Sequence, residues 1–480
     1  MNRPRGVSFE GMTVGLLFAV VAVRAFLMPA QSDTFWHLRA GADILASGHI
    51  PRVDAYSYTA AGLPWPDHEW LWQVFVYALH RVGGMPLVTA GAALLVLSAV
   101  ALAYRLMIGR AATRFWLLLV AIPLASLVWV QRPQIFTLLG LASLTWLLAR
   151  ERFALIPILV LVWANVHGGV VLGDGVLALA WAVAALRARL ADTAADRRRF
   201  VWLTAVLPLA LLATAATPLG LGFFRFVRES EARLREAHIN EWRATLPGFS
   251  IGGVFWVLAL AFAVVVVRRW RALRGASWAD WIVVAAALAL FPLAFRSIRH
   301  IGPFLLLAPA AASRLLGGEL PLWRRRHRAA SPDHPLVNLA ILGTAALAGV
   351  AAIAIGWTRP FEDLGWRPLP AGVLAGIRAC PGRLYNHYNE GGYLVWLTPE
   401  RPVFIDNRQD PYPLPFLLDH LRVESGREPY GQLFARWGIR CSFLGVDSPT
   451  VAALSRDGWR DVYRDDKWAV QAAPVPRELR

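Results

Sequence analysis

The sequence predicts an α-helical polytopic membrane protein that carries a C-terminal extracytoplasmic α/β domain. Three observations lead there. Of 480 residues, 57% are hydrophobic and only 17% are charged. The apolar residues fall in long blocks, several of which reach the roughly 20 residues that cross a ~30 Å hydrocarbon core. The charge is uneven: residues 358–480 hold 16 Lys+Arg and 15 Asp+Glu, so +16 of the chain's +17 lies in the apolar part. This composition excludes a disordered chain, a collagen-like fibre and a small disulfide scaffold. Excess arginine beside apolar spans is a topology signal, so the partner it implies is a lipid bilayer and not nucleic acid.

Eleven apolar blocks read as spans, at about 11–30, 84–107, 115–130, 134–149, 153–166, 169–186, 200–216, 252–267, 278–295, 301–316 and 336–357. With Arg3 and Arg5 in the cytoplasm, alternating spans place Arg110/Arg114, Arg150/Arg152, Arg197–Arg199, Arg268/Arg269/Arg271/Arg274 and Arg324–Arg326/Arg328 inside. Three substantial outward segments remain: 31–83, 217–251 and the tail from 358. The expected domains are a transmembrane domain, 1–357, and a soluble α/β domain, 358–480. The inward connections are short and mostly arginine, so candidate chemistry falls on the outer face.

The segment 31–83 is densest in polar and aromatic groups. Ser32 is a candidate N-cap for a helix ending near Gly48, before Pro51. Trp36, Ala40 and Ile44 form its apolar stripe, and Asp33 and His37, four apart, share a face. The helix dipole favours an ionised Asp33 in the first turn. Such a carboxylate either helps cap the helix, binds a metal or takes a proton from an acceptor hydroxyl. A second cluster runs from Pro64 to Gln73. Asp67 is its candidate N-cap, His68 and Glu69 fall in the first turn, and Trp70, Leu71, Val74 and Ala78 form the buried side. Asp33, His37, His68 and Glu69 either converge on one site or serve as caps of two interfacial helices. Asp54 lies in the turn-rich connector from Pro51 to Thr59.

Arg132, Arg296, Arg299 and His300 sit at outer ends of spans. An arginine there either grips a phosphate bidentately or snorkels to lipid headgroups. His167 occupies the outer turn Asn165–Gly169. Asp174 lies one turn or more into the next span, a functional candidate unless a neighbouring helix satisfies it. Glu241, on an amphipathic interfacial segment, reads more readily as a solvated charge than as a site residue.

In the tail, strand-like runs occur at Arg383–His387, Pro402–Asp406, Cys441–Val446, Trp459–Tyr463 and Trp468–Ala472. Helical patterns occur at Pro415–Val423 and Tyr430–Trp437. Cys380 and Cys441 either pair in an oxidising compartment or stay as buried thiols. Asp406 and Arg408 read as a local ion pair. The sequence shows no Gly-rich nucleotide loop, no zinc-type cysteine spacing and no serine hydrolase elbow.

Five short runs carry a resemblance. They are Asp33-Thr34-Phe35-Trp36-His37-Leu38-Arg39-Ala40-Gly41, Asp54 to Thr59, His68-Glu69-Trp70-Leu71, Gly391-Gly392-Tyr393-Leu394-Val395-Trp396 and Phe404-Ile405-Asp406-Asn407-Arg408. Together they resemble a bacterial branch of the GT-C superfamily of membrane glycosyltransferases. The resemblance implies a polyprenyl-phosphate-linked sugar as donor, a lipid or glycan acceptor, and a place in the bacterial inner membrane. It implies Asp33 as general base; His37, His68, Asp54, His167 and Asp174 are the candidate supporting residues. A leaving polyprenyl phosphate needs positive charge, for which Arg299, His300, Arg296 and Arg132 are the candidates. Many members carry two adjacent acids in the first loop, whereas here Thr34 follows Asp33. Either the second acid comes from elsewhere, with Glu69 the candidate, or the divalent metal ion that is the candidate cofactor is absent. Two rivals stand beside this reading: a non-catalytic transporter or lipid-binding scaffold, and a surface-glycan polymerase or ligase. Polar groups gathered at one face favour interfacial chemistry over a transport site at the midplane.

Overall fold

A computed structural model of the chain describes residues 6–236, 240–248, 251–320, 333–358 and 364–474. Arg3, Arg5, Arg324–Arg326 and Arg328 lie outside them. Thirteen helices precede the tail: α1 (Phe9–Phe26), α2 (Ser32–Ser47), α3 (Trp70–Leu106), α4 (Ala111–Ala125), α5 (Gln134–Ala149), α6 (Ile156–Val166), α7 (Val170–Leu190), α8 (Ala194–Ala215), α9 (Gly222–Glu236), α10 (Ile251–Arg269), α11 (Trp278–Arg296), α12 (Ile301–Leu315) and α13 (Pro335–Thr358). The chain forms two compact units. One is Met1–Met28 with Pro86–Arg359; the other is Pro29–Met85 with Pro360–Arg480. The segment 31–83 therefore groups with the tail, a division that differs from the expected cut at 357/358. Backbone pairing is the physical reason. Ala30 N–H donates to Leu364 O at 2.8 Å, Val403 N–H to Tyr56 O at 3.0 Å and Tyr58 N–H to Val403 O at 3.1 Å.

Within the first unit the helices are apolar on most faces, as lipid-facing helices are. Among the described residues, eight helices are long and apolar enough to cross a membrane: α1, α3, α4, α7, α8, α10, α11 and α13. The other three expected spans fall on α5, α6 and α12, of 16, 11 and 15 residues. At 1.5 Å per residue the longest covers about 24 Å, less than the ~30 Å core. Each nonetheless links the two ends of the unit, and every residue of α12 except Arg314 is buried. By contrast, α13 buries only Asn338 among its described side chains.

The two ends of this helical unit differ. α7 runs from His167 at one end to Arg187 at the other. At the Arg187 end, Arg187–Asp196 (3.0 Å), Arg199–Asp196 (2.9 Å), Arg199–Glu151 (2.7 Å) and Arg314–Asp280 (2.6 Å) pair the arginine-rich connections with acids. The connections carrying Arg132, Glu241 and Arg299 meet at the His167 end.

The second unit holds α2, the N-terminal part of α3 and the tail. α3 is broken at Gly83 and Gly84, whose backbone leaves the helical region. The tail runs α14 (Ala371–Ala379), β1 (Arg383–Asn386), α15 (Gly391–Leu397), α16 (Leu414–Glu424), α17 (Gly431–Trp437), β2 (Ile439–Gly445), α18 (Pro449–Arg456), β3 (Arg460–Arg464) and β4 (Trp468–Ala472). Its sheet has the order β1-β2-β4-β3, with β1 and β2 parallel and the other pairs antiparallel. The expected strand at Pro402–Asp406 does not join this sheet. The Asn386 side chain satisfies its backbone, donating to Ile405 O at 2.7 Å and accepting from Phe404 N–H at 3.0 Å. Val403 forms its bridge with Ser57 instead. Cys380 and Cys441 form a disulfide with Cα atoms 5.8 Å apart. A buried charge centre joins the connector to the tail. Arg408 bonds Asp54 at 2.5 Å and Asp406 at 2.7 Å, and lies 4.7 Å from the Tyr56 ring centre and 4.6 Å from that of Trp65.

Candidate functional site

Asp33 lies in the first turn of α2, almost fully buried, and accepts from Trp36 Nε1 at 3.2 Å. The helix begins one residue earlier than expected, with Gln31 as N-cap. Thr34 Oγ1 accepts the Gln31 N–H at 3.1 Å. Thr34 thus has a helix-start role at the position where the resemblance places a second acid. Ser32 is left to donate to Asn407 Oδ1 at 3.3 Å. α15 approaches this turn closely: a Cβ on Gly392 would stand 2.4 Å from Ser32 O. Only glycine permits that approach, which accounts for the Gly-Gly-Tyr run. Burial, then the charges of Glu390 and Asp33, push the Tyr393 phenol up to about 12.

His37 Nε2 and His68 Nε2 each lie 3.8 Å from one oxygen of Glu69. His37, His68 and Glu69 therefore come together, with Asp33 one turn ahead of His37 on α2. α3 begins at Trp70, so His68 and Glu69 precede the helix where a first-turn place was expected. Asp67 is drawn inward by Gln73 Nε2, which donates to its Oδ1 at 2.7 Å. Burial outweighs that bond and raises the Asp67 carboxyl to about 8. Among the described residues, no group of three or more His, Cys, Asp or Glu side chains is arranged to hold a metal ion. Asp54 accepts from Ser57 Oγ at 2.6 Å, Ser57 N–H at 3.1 Å and Tyr56 N–H at 3.2 Å, besides Arg408.

A second cluster belongs to the helical unit. Arg132, just before α5, pairs with Glu241 through its Nη1. Glu241 Oε2 lies 3.4 Å from Arg299 Nη1, and Arg299 Nη2 donates to His167 Nε2 at 2.9 Å. A guanidinium only donates, so Nε2 accepts, while Nδ1 faces both Thr137 Oγ1 and the Gly169 N–H, the latter at 3.1 Å. Nδ1 lies 2.7 Å from Thr137 Oγ1, which accepts from Trp163 Nε1 at 3.2 Å. Trp163 is fully buried because α5 and α7 present glycines to it: a Cβ on Gly140 or Gly173 would come within 2.6 Å of its ring. The helix packing thus fixes Trp163, Thr137, His167 and Arg299 in sequence.

Glu241 is half-buried. Burial acts to raise its carboxyl, but Arg132 and Arg299 outweigh that and hold it below the usual range. Sequence reasoning underrated this residue. The available signal was two arginines at outward span ends, which need an anion once packed together. Arg296 stands apart and pairs with Glu231 at 2.9 Å. His300 packs edge-on against Trp242. Burial and the charge of Arg299 lower its imidazole to about 4, so the ring is neutral at pH 7. Asp174 accepts from Thr214 Oγ1 at 3.0 Å, so α8 satisfies it.

No protein-family model matches the sequence, and no curated protein matches it. Solved structures match its fold. ArnT from Cupriavidus metallidurans, bound to undecaprenyl phosphate, is 14% identical with a TM-score of 0.55, over 97% of this chain and 98% of that one. The archaeal oligosaccharyltransferase AglB from Archaeoglobus fulgidus, in complex with an inhibitory peptide and a dolichol-phosphate, is 12% identical with a TM-score of 0.57, over 91% of this chain and 69% of that one. The chain shares the fold of these two structures. It is a multi-pass membrane protein, and the fold that the resemblance implied is the one it adopts.

Proposed function

We propose that the chain is an integral-membrane glycosyltransferase. It moves a sugar from a polyprenyl-phosphate donor to a lipid or glycan hydroxyl at the outer face of the bacterial inner membrane. The observation that carries this reading is the Arg132–Arg299 pair, two guanidiniums on one carboxylate in a GT-C fold. Two such forks suit a phosphate monoester, whose negative charge grows as the glycosidic bond breaks. The undecaprenyl phosphate in the ArnT structure supports the same choice of carrier.

In this reading Asp33 takes the proton of the acceptor hydroxyl. The acceptor oxygen bonds to the anomeric carbon. The bond from that carbon to the phosphate oxygen breaks, and its electron pair leaves with the polyprenyl phosphate. Glu69, held by His37 and His68, is the second acid of the proton-handling cluster. Arg132 and Arg299 balance the leaving phosphate, His167 holds Arg299 in place, and His300 flanks them, while Arg296 stays with Glu231. Asp54 and Asp174 act by position, through Arg408 and Thr214. The N-terminus is cytoplasmic, and residues 358–480 are extracytoplasmic.

The test is transfer from a panel of polyprenyl-phosphate sugars to lipid or glycan acceptors, read by mass spectrometry on the full-length protein. Donor-dependent product that disappears in Asp33→Asn supports the reading. Equal product from both proteins removes Asp33 as base. Retained polyprenyl phosphate without any product would leave only a lipid-binding scaffold.

A further inference from the structure

The proposed transfer makes no use of Glu241, yet this residue occupies the position that the arginine pair creates. Its two oxygens face different guanidiniums, Oε1 toward Arg132 and Oε2 toward Arg299. A carboxylate so placed has the geometry of an anion gripped from two sides. The segment that carries it is fixed to the connection that carries Arg299. Ser297 Oγ donates to Glu241 O at 2.8 Å, Ile298 N–H to Arg243 O at 3.1 Å and Thr245 N–H to Phe295 O at 3.0 Å. The neighbouring Trp242 ring lies under Arg299, 5.3 Å from its guanidinium carbon. Backbone and ring thus keep the segment docked whichever way the Glu241 side chain turns.

We propose that Glu241 is a built-in stand-in for the donor's phosphate: it holds Arg132 and Arg299 together until a polyprenyl-linked phosphate displaces its carboxylate. This rests on reading the arginine pair as the donor-phosphate ligands. The exchange is balanced in kind, one anion for another. The carboxylate and the donor's phosphodiester each offer one negative charge and two free oxygens, and the polyprenyl phosphate left after transfer offers up to two charges and three oxygens. The same competition acts in reverse after transfer, when Glu241 reclaims the arginines and helps to release polyprenyl phosphate. The Glu241 carboxylate also offsets the repulsion between the two half-buried guanidiniums.

The experiment measures affinity of the full-length protein in nanodiscs for three probes: undecaprenyl phosphate, inorganic phosphate and phosphatidylglycerol. Glu241→Gln removes the competing charge and is expected to bind undecaprenyl phosphate about tenfold more tightly, a change worth ~1.4 kcal/mol. Its release of that lipid should slow in proportion. Glu241→Asp, with its charge drawn back by one methylene, should fall between. Thermal unfolding run alongside confirms that each variant is folded. Unchanged or weaker binding by folded Glu241→Gln overturns the proposal, because the glutamate then merely orients the arginines. If the Arg132→Ala/Arg299→Ala double variant loses binding in that same experiment, the donor-phosphate reading survives alone. If the double variant binds as the wild type does, both readings fall. Inorganic phosphate binding as tightly as the lipid, or phosphatidylglycerol doing so, would overturn the polyprenyl-linked phosphate as the displacing ligand.

Discussion

Two arginine centres, one in each unit, are built from the same side chains and end in opposite states. Arg408 is 1% exposed and shares two fully buried carboxylates, Asp54 and Asp406. Tyr412 Oη adds a hydrogen bond to Asp406 at 2.9 Å, and two aromatic rings cover the guanidinium. One cation and two anions leave that centre at −1. Arg132 and Arg299 are 17% and 21% exposed and reach the two oxygens of one carboxylate, Glu241, itself 37% exposed. A sealed centre fastens the chain to itself. A partly open centre can still be reached from outside. Exposure, more than the presence of arginine, separates the two.

The largest expected effect is in the sealed centre. Arg408→Ala strands two buried carboxylates and should cost about 3–5 kcal/mol of stability. Thermal unfolding of the purified protein measures it, and a loss below about 1 kcal/mol would break the comparison. In the open centre, Arg299→Ala should lower transfer by about 10²–10³-fold. It should leave the unfolding temperature within a few degrees, so kinetics and unfolding on one preparation separate the two roles. Reduction of Cys380–Cys441, which are 61 residues apart, should remove about 2–4 kcal/mol. Proteolysis of the tail with and without reductant reads that change.

The finest effect concerns an acid held by an amide, Asp67, which accepts from Gln73 Nε2. Asp67 has its carboxyl raised by burial to about 8. A raised folded-state pKa means the neutral acid is the favoured buried form. Its contribution is complete below the unfolded value near 4 and is lost as pH rises toward 8. Wild-type stability should therefore decline across that window, by at most ~1.4 kcal/mol per pH unit from this group. Asp67→Asn should flatten that slope, as followed by unfolding temperature against pH.

Much of the architecture was legible from the chain alone because the bilayer imposes long apolar helices. Asp33 at the start of a helix, the Asp406–Arg408 pair and four of the five tail strands were also readable, since local spacing decides them. The fifth run, Pro402–Asp406, alternates like a strand, but the Asn386 side chain and the connector near Tyr56 take up its backbone groups. No local pattern reports a partner more than 300 residues away. Glu241 was missed for a related reason. Its own segment looks amphipathic and solvated, and its meaning comes from Arg132, 109 residues away, and Arg299, 58 residues away. The near-complete burial of α12 was likewise hidden, because a buried helix and a short membrane span share one composition.

The ion pair between Asp54 and Arg408 spans 354 residues of sequence. At ~5–20 residues per second of synthesis, Asp54 emerges roughly 20–70 s before its partner exists. During that interval the connector from Pro51 to Thr59 has none of the tail groups that later bury it, so it is open to proteases and to chaperones. A ribosome that stops before Arg408 leaves a product with every membrane helix in place and an early loop that cannot close. The last quarter of the message thus acts as the quality check on a segment made at its beginning.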